Sequence, residues 1–198
     1  MLKWIAVLLV LVLPGAAYAG SLDDCAQNQD SDRRIHGCSE RIRQFPSDAT
    51  AYFNRGEAYL SQGDLDRAIA DASKVIQLDG WYAAAYVVRG TSYERKEQYD
   101  RAIADYGKAI EINPRYSAAY SARASAYLRN GQTGPALRDA ERAVSLDPED
   151  ADFLDMRGHV YEALGRTQEA IVDYRRVLSS DPSMRSSLDG LKRLGAAP

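Results

Sequence analysis

Residues 83–116, AAAYVVRGTSYERKEQYDRAIADYGKAIEINPRY, hold two helical patterns with a break between them. In the first, Tyr86, Gly90 and Tyr93 recur three to four residues apart, which marks one face of a helix. The pattern resets at Glu97-Gln98-Tyr99-Asp100. Ala102, Ile103, Tyr106, Ala109 and Ile110 then line a second helix. Asn113-Pro114 ends it, because the residue before a proline is pushed out of the helical region. The stretch therefore predicts an antiparallel helix pair.

The same pattern lies on both sides of it at a spacing of 34 residues. Units beginning at Ala49, Ala83, Ser117 and Ala151 carry Arg55-Gly56, Arg89-Gly90, Arg123-Ala124 and Arg157-Gly158, then Tyr59, Tyr93, Tyr127 and Tyr161. Twelve residues past each Gly or Ala comes Ala68, Ala102, Ala136 or Ala170. A fixed period in this range signals a solenoid, and the expected fold is all-α: a stack of helix pairs over 49–82, 83–116, 117–150 and 151–184. No strand is expected. Between the helices of a pair stand Gly63, Gly131 and Gly165, suited to the left-handed conformation that ends a helix. Unit two has Glu97 there, at a cost of about 1 kcal/mol if the backbone is kept.

The repeat resembles the tetratricopeptide repeat. That family's order of aromatic, Gly, Tyr, Ala, aromatic, Ala and Pro is met by Tyr86, Gly90, Tyr93, Ala102, Tyr106, Ala109 and Pro114, and the resemblance covers residues 49–184. Departures are Gly80 for the closing Pro of unit one, Ala124 for Gly in unit three, and Ala72 and Ala140 for the second aromatic. Small residues let two helices approach closely, so Gly90 is expected to face Ala102. The family pattern does not demand Arg55, Arg89, Arg123 and Arg157, nor Asp71, Asp105, Asp139 and Asp173 sixteen residues later. Side chains lean toward the helix N-terminus, which brings each Arg level with its Asp. A ladder of bridges is expected, the alternative being solvated charges worth under about 1 kcal/mol each.

Both flanks of the repeats read as caps. Residues 34–46 form a degenerate second helix in register, with Cys38 in the place of the late aromatic, preceded by a truncated helix over residues 22–28. Beyond unit four, Met184, Leu188, Leu191 and Leu194 give an amphipathic helix within 185–198 that covers the last pair. With the repeats this makes about eleven helices. Residues 1–19 differ in kind: Lys3, the apolar run from Trp4 to Leu13, Pro14-Gly15, then Ala17-Tyr18-Ala19. These are the parts of a signal peptide cleaved after Ala19, since the run is half of the ~20 residues a membrane span needs. The protein is thus expected in an exported compartment, periplasmic or secreted, with no membrane span after cleavage. There Cys25 and Cys38 are most simply a disulfide within 20–48, metal binding by two lone thiols being the weaker reading.

With 198 residues, 45% apolar content and a net charge of −3, the chain lacks the basic stripe that nucleic acid requires. Chemistry is hard to assemble from two histidines and two paired cysteines. Nucleophile elbows, phosphate-binding Gly-rich loops and His-Glu-x-x-His are missing from the sequence. Asn28, Asp30 and Asp32 imitate the opening of a calcium loop, but Arg33 stands where that loop needs Gly, and a helix cap by Ser31 or Asp32 explains the acids. Asp64 and Asp66 are also read as capping residues. No catalytic residue, cofactor or metal is expected.

The resemblance implies a scaffold that holds a peptide or protein segment in a concave groove lined by the first helix of every unit. Carried over position by position, the lining is Phe53, Asn54 and Glu57, then Val87, Val88 and Thr91, then Ser121, Ala122, Ser125 and Arg129, and finally Asp155, Met156, His159 and Glu162. Such a groove is apolar at its centre and acidic at its far end, suiting a segment with a small apolar anchor and a basic residue. Family members that hold a C-terminal carboxylate converge several Lys and Asn in the groove. Here Asn54 stands alone, so that mode is not expected. The functional expectation is a non-enzymatic adaptor in the periplasm or another exported compartment, the alternative being a chaperone-like factor that transiently holds exported clients.

Overall fold

The computed structural model describes residues 24–26 and 30–197. The leader lies outside them, as do Leu22 and Asn28 of the expected cap. Ten full helices lie among the described residues: α1 (Ser31–Gln44), α2 (Ala49–Gln62), α3 (Leu65–Leu78), α4 (Ala83–Arg95), α5 (Tyr99–Ile112), α6 (Ser117–Arg129), α7 (Thr133–Leu146), α8 (Ala151–Ala163), α9 (Thr167–Ser180) and α10 (Arg185–Arg193). Residues 24–26 add a helical turn before α1, and the described residues contain no strand.

Local chemistry sets the boundaries. Aspartates at 48, 64 and 150 begin α2, α3 and α8 by accepting hydrogen bonds from the backbone N–H of Ala51, Arg67 and Phe153, donors that a helix N-terminus otherwise leaves unpaired. At α1 the cap is Asp30, which accepts from Asp32 N and Arg33 N, and not the expected Ser31 or Asp32. Asp66 likewise caps nothing: it pairs with Lys96 of the next unit. Each first helix ends on a left-handed residue, Gly63, Glu97, Gly131 or Gly165, with φ of 78°, 59°, 74° and 71°. The residue after it donates back to the carbonyl of the unit's Tyr: Asp64 to Tyr59, Gln98 to Tyr93, Gln132 to Tyr127, Arg166 to Tyr161.

Every helix packs on the one before and the one after it. In addition α2 touches α4, α4 touches α6, α6 touches α8 and α8 touches α10, whereas second helices do not touch one another among the described residues. The first helices are therefore closer together, and the stack curves with them on its inner side. Between the rows runs a seam of small residues; Ala68, Ala102, Ala136 and Ala170 are wholly buried. At Gly90 the first contact across that seam is the Tyr106 ring, whereas the equivalent Gly56 approaches Asp71, Ala68 and Ala72. A Cβ on Gly90 would come within 2.8 Å of the Tyr106 ring, and one on Gly158 within 2.6 Å of the Tyr174 ring. The departures from the repeat now make sense together. Ala124 packs with Ala140, which stands where the ring would be, so an added methyl is tolerated in unit three. Val160 and Met156 from the next unit pack against the two alanines there.

The Arg and Asp of each unit meet in a two-pronged bridge. Arg55 Nε and Nη2 donate to Asp71 at 2.7 and 2.8 Å, and Arg89 to Asp105 at 2.8 and 2.7 Å. Arg123 to Asp139 and Arg157 to Asp173 repeat the geometry. The aspartates are buried and the arginines mostly so. Hydrogen bonding to its Asp, opposed by burial, holds each guanidinium above its ordinary pKa. The ladder also crosses between units, since Arg55 Nη1 donates to Ser39 and Arg89 Nη1 to Ser73, both on the preceding second helix.

At the N-terminal end Cys25 and Cys38 are disulfide-bonded and buried with Ala51. At the other end α10 lays Gly190 against the opposite edge of the Tyr174 ring from Gly158, buries Leu191 and packs Leu194 against the same cluster.

Candidate binding groove

The inner row of first helices presents two solvent-facing positions per unit. Phe53, Val87, Ser121 and Asp155 hold the first, Glu57, Thr91, Ser125 and His159 the second, and all eight are half-buried. The third expected position is different. Asn54 donates to the Cys25 carbonyl at 3.1 Å, Val88 is 6% exposed, Ala122 packs on the Tyr106 cluster and Met156 on the Ala140 cluster. These residues follow the groove positions by one, hence by about 100° around the helix. They consequently face the preceding unit, and Val88 is removed from the groove surface. Of the four, Asn54 also lines a small cleft beside Cys25 and Thr50, and Met156 a larger one.

Between units three and four that cleft, of about 400 Å³, is lined by Ser125, Leu128, Arg129, Met156, His159, Glu162, Ala163 and Arg193. The acids at this end of the groove are not free to draw a base. Arg193 of α10 donates to both Glu162 oxygens at 2.7 and 2.9 Å and holds that carboxyl below its usual range. Burial pushes Asp155 up, but hydrogen bonds from His159, Ser187 and Ser186 outweigh it and the carboxyl is net lowered; Ser187 donates at 2.5 Å. His159 Nε2 lies 3.3 Å from Asp155, and its Nδ1 lies 3.0 Å from the Tyr174 hydroxyl. The acidic far end expected from the sequence is thus internally paired, and Arg129 and Arg193 are the exposed charges of the cleft.

Glu94 was not among the expected lining residues. It is 9% exposed and accepts from the Tyr106 hydroxyl at 2.9 Å and from Ser125 Oγ at 2.7 Å. Burial, reinforced by Glu94, pushes the Tyr106 hydroxyl far up; burial and Glu162 do the same at Tyr174. Glu94 and Glu162 stand two periods apart, in the two units whose second aromatic is a tyrosine. A buried phenol needs a partner, so that coincidence was the readable signal. Tyr82 and Tyr116, which precede α4 and α6, were missed as well. The Tyr82 ring lies 5.0 Å from that of Phe53.

Among the described residues no group of three or more His, Cys, Asp or Glu could hold a metal ion, and no helix is long and apolar enough to cross a membrane.

Comparison with known proteins finds the tetratricopeptide repeat family over residues 49–82 and 83–116 and again over 121–185. Comparison with curated proteins finds no significant match. Among solved structures, MamA 41-end from Desulfovibrio magneticus RS-1 aligns at a TM-score of 0.73 and 20% identity over 86% of this chain and 96% of its own. YrrB, described as a TPR protein with an unusual peptide-binding site, aligns at 0.64 and 23% over 81% of this chain and 91% of its own. The first TPR of Spaghetti (RPAP3), bound to the HSP90 peptide SRMEEVD, aligns at 0.55 and 30% over 57% of this chain and 90% of its own. The 34-residue period, the glycine-on-ring seams and these matches agree, and the chain belongs to the tetratricopeptide-repeat family.

Proposed function

We propose that the protein is a non-enzymatic scaffold that binds a peptide or protein segment along the inner face of its first helices, and that it does so after export. The observation that carries the binding role is the continuous row of half-buried side chains at the same two positions of all four units. It ends in the Met156–Leu128–Ala163 cleft, which offers an apolar anchor site beside Arg129. Peptide binding by relatives of the same architecture supports it. The Cys25–Cys38 bond supports an oxidising compartment, as does the leader pattern of residues 1–19.

Crosslinking in the native cell envelope tests both halves. A stoichiometric protein partner crosslinked through residues introduced at Ser121 and Ser125, on a protein whose N-terminus is Gly20, is the expected result. Many weak clients would favour the chaperone-like role, and an intact leader on cytosolic material would overturn export.

A further inference from the structure

The N-terminal half of the inner face carries a cluster unlike the cleft at the other end. Phe53 and Glu57 lie one turn apart on α2. Tyr82 lays its ring against Phe53 at a tilt of 37°, and Tyr116 holds the equivalent place one repeat later. All four are half-buried. In the flanking units this place belongs to Asp48 and Asp150, each of which caps the helix it precedes. Tyr82 and Tyr116 make no side-chain cap. Units two and three thus forgo about 1 kcal/mol of capping and present ring surface to the groove instead.

Glu57, one turn from Phe53, lies near enough to Tyr82 and Tyr116 for its charge to act on both hydroxyls. Burial pushes its carboxyl above the ordinary range despite the attraction of Arg34 on α1. Tyr82 and Tyr116 are raised by burial and, further, by the field of Glu57, with Asp79 adding to it at Tyr82. A poorly solvated carboxylate near aromatic rings gains from an arriving cation, because Coulomb attraction to the carboxylate and the quadrupole of a ring that the cation covers act in the same direction. At the far end Arg193 already occupies Glu162.

We propose that Phe53, Glu57, Tyr82 and Tyr116 form a subsite for a cationic side chain, lysine or arginine, of the segment held in the groove. Val87, which packs with Tyr116 against the Ala109–Ala119 cluster, takes an apolar neighbour of that residue. The subsite rests on the groove-binding reading and adds the chemistry and the place of the anchor. It moves the basic anchor expected from the sequence from the far end of the groove to its beginning.

A display library of short random peptides, selected on the whole protein and followed by calorimetry, tests it. Selected peptides should share a Lys or Arg close to an apolar residue. Glu57→Gln should weaken them about tenfold, and Tyr82→Leu severalfold, with unchanged thermal melting. Acetylating the peptide lysine should cost the same on the natural protein and little more on Glu57→Gln. Peptides that bind without a cationic residue, or equally well to Glu57→Gln, overturn the subsite and leave the scaffold intact. Failure to select any peptide overturns both.

Discussion

A Cβ added to Gly90 would lie 2.8 Å from the Tyr106 ring, whereas one added to Gly56 would meet the Asp71 Cβ at 3.3 Å. Tyr106 is completely buried and its hydroxyl is tied to Glu94, so the ring has little room to retreat. Alanine gains about 1 kcal/mol of helix propensity over glycine at either site. Overpacking should outweigh that gain at Gly90 and roughly match it at Gly56. Gly90→Ala is expected to lose about 1–2 kcal/mol in urea unfolding, and Gly56→Ala to stay within about 0.5 kcal/mol of neutral. In a Tyr106→Ala background the penalty of Gly90→Ala should vanish, reproducing the Ala124–Ala140 pairing of unit three; an unrelieved penalty would deny the ring its role. Glu97 offers the opposite case. At φ 59° it occupies the left-handed conformation that glycine holds in the other three units, and Glu97→Gly should stabilise by about 1 kcal/mol in the same assay.

Between elements, the Arg–Asp bridge does what a contact of apolar side chains cannot: it fixes the sliding register of two helices whose seam is otherwise glycine, alanine and, in units two and four, a tyrosine ring. Removing one member strands the other. Arg89→Met should cost about 3 kcal/mol by leaving Asp105 buried and unpaired, and the double variant Arg89→Met with Asp105→Leu should recover much of the loss. Equal and additive losses would reduce the ladder to independent surface charges. The docking of α10 rests on charge in a different way. Arg193 holds Glu162 below its usual range, so this contribution is complete above the ordinary carboxylate pKa and is lost as pH falls through the lower, folded value. Hydrogen exchange in α10 should accelerate on acidification, and Glu162→Gln should flatten that dependence. How much of this was legible beforehand follows from what a period conveys. It identifies equivalent residues, which made the helix pairs, the bridges and the Glu97 irregularity readable from the sequence. It does not say which way consecutive residues turn, and so Val88 was placed with Val87 although the two point to different neighbours. Arg193 lies beyond the last repeat, where no equivalent exists to compare, and Tyr82 and Tyr116 occupy the turns before helices. For those residues three-dimensional proximity was the missing information.

At the scale of the whole molecule each unit is held by its neighbours, so the two ends decide where unfolding begins. They are secured by different means. The first unit leans on α1, whose Cys38 occupies the place of the second aromatic and is bonded to Cys25; Asn54 of α2 reaches back to the Cys25 carbonyl. The last unit leans on α10, through Gly190 on the Tyr174 ring, Ser187 on Asp155 and Arg193 on Glu162. A solenoid with nearest-neighbour coupling should feel the loss of either cap locally. Truncation after Met184 is expected to reduce amide protection in α8 and α9 while α2 and α3 keep theirs, and Cys25→Ser with Cys38→Ser should do the reverse, costing about 3 kcal/mol by the loop-entropy argument. A uniform loss of protection in either variant would mean that the stack unfolds as one cooperative body. The local outcome bears on binding, because the proposed cation subsite belongs to units one and two and the apolar cleft to units three and four. A segment that spans both would bridge the two ends. Adding such a peptide to the truncated protein should restore protection in α8, at the end opposite the cation subsite, and a peptide without its basic residue should restore less.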